Sequence, residues 1–319
     1  MNNTLLEVRD IKKYYPAGGG RLLRAVDGVS FSLRANEILG IVGESGCGKS
    51  TLGRLALRLI EPTGGRVFFQ DQDISALRRG SLGPARRAMQ MVFQNPFASF
   101  NPKLRIADSL LEVCRHYGMS RKAGGERIAA LFADTGLQED LLSRWPRELS
   151  GGQLQRLAIT RALLSGPALI VADEPLSALD VSIQAQLLNL LESLRETRSL
   201  SMIFISHDMT VVEYLCNRVA VMYLGRIVEQ ADAGKLFRRA LHPYTRSLIA
   251  AVPRMERREQ AETRIPKGET PNPANPITGC PFASRCPDAE TVCSAEAPQL
   301  VEAEAEHWVS CHVWRGKRR

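Results

Sequence analysis

The chain has 319 residues, 44% of them hydrophobic and 24% charged, with a formal net charge of +8. That length supports one large or two modest domains with real cores, and the composition is ordinary for a soluble globular protein. No stretch approaches 18 apolar residues and the first ten residues lack an apolar core behind a basic start, so a bilayer span and a secretory leader are excluded as expectations, and the seven cysteines are expected to be mostly reduced. The basic excess is spread along the chain, and its densest clusters, Arg86-Arg87, Arg257-Arg258 and Lys317-Arg318-Arg319, read as solvated surface. It does not choose between nucleic acid, an anionic ligand and a membrane surface.

In chain order, Leu6-Val8-Asp10 begins a short strand, Pro16-Ala17-Gly18-Gly19-Gly20 is a turn, and residues 26–33 alternate apolar and polar as a second strand. Ile38-Leu39-Gly40-Ile41-Val42 is an apolar run typical of a buried strand. A Gly-rich loop and a helix from Lys49 to about Leu59 follow, then a turn at Pro62-Thr63-Gly64-Gly65 and a strand over 66–69. From about 95 to 165 helical periodicity dominates, over 106–117, 125–135 and 152–164. Alternation then resumes with a strand over 169–172, a helix over 181–198, a strand over 202–205 and a hairpin of 219–223 with 227–229 around Gly225. Strand–helix alternation with long crossovers predicts a mainly parallel sheet covered by helices, interrupted by a helical insertion. Beyond about Ala251, Pro253, Pro266, Pro271, Pro273, Pro276, Pro281, Pro287 and Pro298 punctuate a stretch with little periodicity. It reads as an extended appendage.

Gly43-Glu44-Ser45-Gly46-Cys47-Gly48-Lys49-Ser50-Thr51 fits G-x-x-x-x-G-K-[ST] between a strand and a helix, the context in which that pattern cradles phosphates. Its glycines let backbone N–H groups wrap the anion, Lys49 brings a charge to the β/γ-phosphates and Ser50 offers a hydroxyl to Mg²⁺. Alkylation of Cys47, inside that loop, is expected to block nucleotide. Leu169-Ile170-Val171-Ala172-Asp173-Glu174 is a strand ending in two carboxylates. Asp173 is placed to support the magnesium and Glu174 to orient or deprotonate an attacking water. Leu149-Ser150-Gly151-Gly152-Gln153 pairs a capping serine with two glycines that let a phosphate approach the backbone at a helix N-terminus.

That pentapeptide, about a hundred residues after the phosphate loop and shortly before the acidic strand end, resembles the signature of ATP-binding-cassette (ABC) ATPases. The resemblance extends residue by residue. Gln94 stands where the family's Q-loop glutamine touches Mg²⁺ and relays motion from membrane subunits. Ser177-Ala178-Leu179-Asp180 is similar to the D-loop. His207 resembles the switch histidine at the γ-phosphate, and Tyr15 the aromatic that stacks on adenine, with Tyr14 leaving a one-residue ambiguity. The family implies an α/β P-loop NTPase fold with an antiparallel β subdomain and a helical subdomain. Here that predicts an ABC ATPase domain over 1–250, its helical part about 95–165, and a C-terminal extension over 251–319. It also implies ATP and Mg²⁺ as ligands. Two cassettes pair head to tail, each signature capping the other's nucleotide.

His242-Pro243-Tyr244-Thr245, followed by Leu248 and Pro253, resembles a stretch of the ATPase subunits of oligopeptide and dipeptide importers, a group that includes nickel and other small-solute systems. Asn95-Pro96-Phe97 and the stretch from Pro175 to Asp180 lean towards the F-type ATPase of such systems, which pairs with a related D-type subunit. Cys280, Cys286, Cys293 and Cys311, in the tail of a chain expected in the cytosol, read as metal ligands rather than disulfides. Four thiolates suit an iron–sulfur cluster or tetrahedral zinc, although the close cysteine pairs of zinc sites are missing. The resemblance favours [4Fe–4S], with zinc or no metal as alternatives, and His307 and His312 flank Cys311. The implied partners are a second ATPase subunit, two transmembrane permease subunits, with contacts expected around 94–102, and an extracytoplasmic solute-binding protein. No direct nucleic-acid role is implied. The implied place is peripheral, on the cytoplasmic face of the bacterial inner membrane. An exporter's ATPase and a soluble ABC ATPase acting on nucleic acid or ribosomes are the competing readings. The His-Pro-Tyr stretch with the Cys tail speaks against the first, and the lone cassette without a heptad run against the second.

Overall fold

The computed structural model describes residues 3–177, 179–252, 268, 271, 272, 274 and 278–314. Ala178 of the D-loop string, Pro253, Pro266, Pro273 and Pro276, and the basic clusters at 257–258 and 317–319 lie outside the described residues. The chain runs β1 (Thr4–Pro16), β2 (Leu22–Arg34), β3 (Ile38–Val42), α1 (Lys49–Ala56), β4 (Gly64–Phe69), β5 (Gln72–Asp73), α2 (Gly83–Ala88), β6 (Met89–Val92), α3 (Ile106–His116), α4 (Arg121–Thr135), α5 (Gly151–Leu163) and β7 (Leu169–Asp173). It continues α6 (Val181–Arg198), β8 (Ser201–Ser206), α7 (Met209–Leu215), β9 (Arg218–Tyr223), β10 (Arg226–Asp232), α8 (Ala233–Arg238), α9 (Pro243–Ala250), α10 (Thr291–Ala295), β11 (Val301–Glu304) and β12 (His307–Val309). Two compact units emerge, one of Met1–Thr4, Arg34–Glu37 and Ala76–Ile205, the other of Leu5–Leu33, Ile38–Ser75 and Ser206–Arg319.

In the first unit β6, β7 and β8 pair in parallel, Met89 opposite Leu169 and Leu169 opposite Ser201. Every residue of β7 and β8 is buried, as continuous apolar runs in parallel sheets require. The unpredicted strand β6 has only four residues, too few to show a period. The helical stretch is α3, α4 and α5. α4 starts at Arg121 rather than near 125, because Ser120 accepts from the Ala123 N–H at 3.2 Å and so caps it earlier. α3 and α4 approach closely at Gly124, where a Cβ would come within 3.0 Å of Cys114 Cβ. Thr135 and Thr160 share a 3.0 Å hydroxyl hydrogen bond that joins the buried sides of α4 and α5.

The second unit holds two sheets. One, β2-β1-β4-β5, pairs β1 with β4 and β4 with β5 antiparallel and is the antiparallel subdomain that the family resemblance implied. In the other, β3 pairs in parallel with β9, β9 with β10 antiparallel, and β10 with β12 and β12 with β11 antiparallel. α7 packs on β3 where Gly40 leaves room: a Cβ there would lie 2.9 Å from Cys216 Sγ. The tail is therefore no extended appendage over 278–314. Glu229 on β10 stands opposite Val309 on β12, and Phe282, Tyr223 and Tyr244 form a fully buried aromatic cluster. Strands of three and four residues carry no periodic signal, which is why the pattern did not reveal them. Among the described residues no helix is long and apolar enough to cross a membrane.

Candidate functional site

The phosphate loop leads from β3 into α1 within the second unit. Gly43 and Gly48 are needed because a Cβ would lie 2.1 Å from the Met222 carbonyl oxygen and 2.0 Å from that of Ala25. Gly46 differs: its φ is +79° and nothing stands within 4 Å of where a Cβ would be, which leaves the loop open to an anion. Gly225, in the β9–β10 turn, donates its N–H to the Cys47 carbonyl at 2.9 Å. Lys49 is buried, its Nζ donating to the Gly43 and Glu44 carbonyls at 2.8 and 2.9 Å. Ser45 is exposed and Ser50 half-buried, with Thr51 after it in the first turn of α1. Cys47 is 5% exposed, and burial pushes its thiol up from the usual range, against the pull of Lys49. The expected block by alkylation therefore meets a shielded, largely protonated sulfur.

Tyr14 and Tyr15 project to opposite faces of β1. Tyr14 is engaged, its hydroxyl donating to Asp27 at 2.5 Å, with burial and that carboxylate pushing it up to about 12. Asp27 in turn takes the Arg226 guanidinium at 2.7 Å. Tyr15 carries the Lys13 ammonium 5.1 Å from its ring centre. His207 is exposed just after β8, and the next residue, Asp208, caps α7 by accepting from Thr210 and Val211.

The first unit carries the acidic strand end and the signature. Asp173 ends β7 and is 2% exposed. Glu174 follows with φ +47°, a left-handed conformation costly for a side-chain-bearing residue. It is held there by its N–H to the Ile205 carbonyl at 3.0 Å and by Ser177 Oγ donating to its own carbonyl at 2.9 Å. Gln94 Nε2 donates to Glu174 Oε2 at 3.1 Å, so two residues eighty positions apart share one contact. Ser150 and Gln153 form a reciprocal capping box at the start of α5, with bonds of 3.3 and 2.9 Å. Gly151 is exposed, and at Gly152 a Cβ would lie 2.7 Å from Ile183 Cγ2. Asp180 is exposed at the N-cap position of α6. Within the stretch 94–102 expected at a partner contact, Phe97 is 49% exposed but Phe100 is 5% exposed and belongs to the core.

The four-cysteine metal centre is corrected. Among the described residues no group of three or more His, Cys, Asp or Glu is placed to hold a metal ion, so neither an iron–sulfur cluster nor zinc is supported at Cys280, Cys286, Cys293 and Cys311. All four are free thiols. Burial pushes Cys280 up to about 11 and Cys311 up to about 12. His307 is engaged elsewhere, its Nε2 2.7 Å from Glu229 Oε1, and His312 Nε2 meets the Glu296 carbonyl at 2.9 Å.

Two residues at the phosphate loop escaped the sequence reading. Tyr244 Oη accepts from the Glu44 N–H at 2.8 Å, and Arg285 donates to both Glu44 carboxylate oxygens at 2.8 and 3.0 Å. The His-Pro-Tyr string marked Tyr244 only as part of a resemblance, and no spacing rule pointed to Arg285, more than two hundred residues away.

Comparison with known proteins brings these features together. Residues 26–177 match the family described as ABC transporter, and 228–293 the one described as Oligopeptide/dipeptide transporter, C-terminal region. The oligopeptide transport ATP-binding protein AppF of Bacillus subtilis is 47% identical over 98% of both chains. The probable peptide ABC transporter ATP-binding protein y4tS of Sinorhizobium fredii is 48% identical over 98% of this chain and 91% of its own length. Among solved structures, the dimeric post-hydrolysis state of the ATP-binding cassette MJ0796, bound to ADP and Pi, superposes with a TM-score of 0.66 at 28% identity. It covers 72% of this chain and 98% of its own. CbiO1 of Clostridium perfringens, part of the ABC transporter complex cbiONQ, gives 0.66 at 25% identity over 74% and 92%.

Proposed function

The chain belongs to the ABC transporter family, among the ATP-binding subunits of oligopeptide and dipeptide transporters, and from that premise we propose the residues that perform its work. It is an ATPase whose hydrolysis powers peptide import. The observation that carries this is the match to peptide-transport ATP-binding proteins over 98% of the chain, C-terminal region included.

Gly43 to Thr51 wrap the phosphates, with the Lys49 ammonium moving from the loop carbonyls to the β/γ-phosphates. Tyr15 stacks on the adenine. Ser150, Gly151, Gly152, Gln153 and Asp180 face the nucleotide of a partner cassette. For magnesium, one unit offers the Ser50 hydroxyl and the other the Asp173 carboxylate and the Gln94 carbonyl oxygen, each a hard oxygen of the kind that ion takes. When bound, the ion neutralises phosphate charge. Glu174 orients the attacking water and takes its proton, its carboxylate steadied by Gln94 and by the constrained backbone beneath it. His207 contacts the γ-phosphate. The proposed division is a cassette over 1–250, with helices over 95–165, and an extension over 251–319.

Permease subunits follow as partners from membership in an importer family. More finely, we place this chain as the F-type ATPase beside a D-type relative, peripheral on the cytoplasmic face, with a solute-binding protein outside. The exposed ring of Phe97 supports a permease contact near Gln94. The test is complementation. Deleting the gene in an amino-acid auxotroph should stop growth on peptides containing that amino acid, the wild-type chain should restore it and Lys49→Ala should not. Undiminished peptide-dependent growth of the deletion strain, with no redundant peptide uptake, would overturn the reading.

A further inference from the structure

We propose that Arg285 is a positioning residue for nucleotide binding, whose guanidinium neutralises the Glu44 carboxylate on the phosphate loop so that the C-terminal segment sets the loop's affinity for polyphosphate. The inference rests on the reading of Gly43–Thr51 as the phosphate site. Glu44 is the second residue of that loop, and its carbonyl already holds the Lys49 ammonium at 2.9 Å. A bare carboxylate there would face the same triphosphate that the loop must attract, and like charges at close range in a partly desolvated cleft repel strongly.

Arg285 answers that charge with two parallel hydrogen bonds, Nη1 to Oε2 at 2.8 Å and Nη2 to Oε1 at 3.0 Å. Such bidentate pairs are strong and geometrically specific. The pair is sheltered, with side-chain exposures of 11% for Arg285 and 30% for Glu44. The arginine is itself held in place. Its N–H donates to the Phe282 carbonyl at 3.0 Å, and Phe282 is 1% exposed against the rings of Tyr223 and Tyr244, at 5.3 and 5.4 Å. Tyr244 reaches Glu44 independently, its hydroxyl accepting the Glu44 N–H at 2.8 Å. Two separate segments beyond β10 thus converge on one loop residue, one fixing its backbone and the other cancelling its charge.

A simple structural tie and a charge-neutralising contact predict different things. If the pair only braces the loop, R285Q, E44Q and the double variant should all weaken binding alike. If Arg285 neutralises Glu44, only R285Q exposes a carboxylate to the phosphates. The experiment is fluorescence titration of the full-length chain with MANT-ATP and Mg²⁺, beside steady-state hydrolysis. R285Q should raise the Kd about tenfold, and raise KM for ATP with kcat at saturation little changed. The double variant E44Q/R285Q should return to within about threefold of wild type, and R285K, which keeps the charge but loses the two-pronged geometry, should weaken binding only a few-fold, less than R285Q. The R285Q deficit should shrink at about 1 M salt, where screening is short-ranged. Should R285Q not fold, the comparison of E44Q/R285Q and R285K with wild type decides: about tenfold weaker binding by either overturns the proposal. Wild-type affinity in a folded R285Q, or a double variant as weak as R285Q, also overturns it. Failure of the wild-type chain to bind MANT-ATP would instead sink the phosphate-site reading and this inference with it.

Discussion

In the proposed mechanism Lys49 and Glu174 do different work, and their removal should separate. The Lys49 ammonium rests on the Gly43 and Glu44 carbonyls, ready to transfer to phosphate. Lys49→Ala should therefore weaken both binding and hydrolysis, the rate by about a hundredfold or more, as loss of a charge-stabilising group does. Glu174→Gln keeps the shape and the Gln94 contact but cannot take a proton. It should leave MANT-ATP affinity within a few-fold of wild type while kcat falls about a hundredfold to ten-thousandfold. Equal loss of affinity in both variants would show that Glu174 serves binding instead. Cys47 offers a second test. Its buried thiol is raised above the ordinary range, so its thiolate fraction at pH 7 is below that of a free cysteine. Iodoacetamide labelling should be slow at pH 7, keep climbing with pH beyond the point where an ordinary thiol levels off, and slow further with bound nucleotide, as mass spectrometry of the loop peptide would reveal.

At the scale of elements, caps decide what the apolar pattern leaves vague. Ser150 and Gln153 start α5 at a defined residue, and Ser120 starts α4. α9 has an unusual cap, His242, whose Nδ1 accepts the Tyr244 N–H at 3.0 Å and whose Nε2 has no hydrogen-bond partner among the described residues. The ring is 1% exposed. Burial lowers its pKa to about 4, with Arg246 adding to the effect and Glu229 opposing it. Because the folded value lies below the unfolded one of about 6.5, the unfolded chain binds the proton first. Stability from this group is complete above about pH 6.5 and is lost as pH falls towards 4. The loss between pH 7 and pH 5 amounts to about 2 kcal/mol. His242→Asn keeps a capping oxygen and cannot titrate, so urea unfolding of this variant should lack that part of the pH dependence. An unchanged slope would show that the ring is hydrated or already charged.

For the whole molecule, the C-terminal segment is part of the second unit's core. Glu229 on β10 is fully buried and accepts from the Leu241 and His242 N–H groups at 2.7 and 3.0 Å, while His307 of β12 lies 2.7 Å from its Oε1. One carboxylate thereby joins a strand, the start of α9 and the tail. Glu229→Ala would strand three buried polar groups together, at a cost of about 3–5 kcal/mol. The expected result is a lower unfolding midpoint and easier proteolysis of the tail. A shift below about 1 kcal/mol would mean that water enters and replaces the carboxylate.

Short-range pattern was enough for much of this protein. The glycines of 43–48, the lysine after them, the strand ending in Asp173-Glu174 and the Ser150 cap are each legible because a few adjacent residues carry the whole physical requirement: φ above zero, an anion-facing N–H, a capping oxygen. The ATPase followed from the resemblance those strings and their order carry, and the importer family from the resemblance carried by His242-Pro243-Tyr244-Thr245 and the cysteine-bearing tail. What only the tertiary structure decided depends on partners far apart in the chain. The Gln94–Glu174 contact, the burial of Phe100, the seating of β12 on β10 and the grip of Arg285 and Tyr244 on Glu44 leave no local signature. The four-cysteine expectation failed for the same reason: ligand residues at plausible intervals say nothing of whether the fold sets their sulfurs to hold one ion, and among the described residues no such group forms.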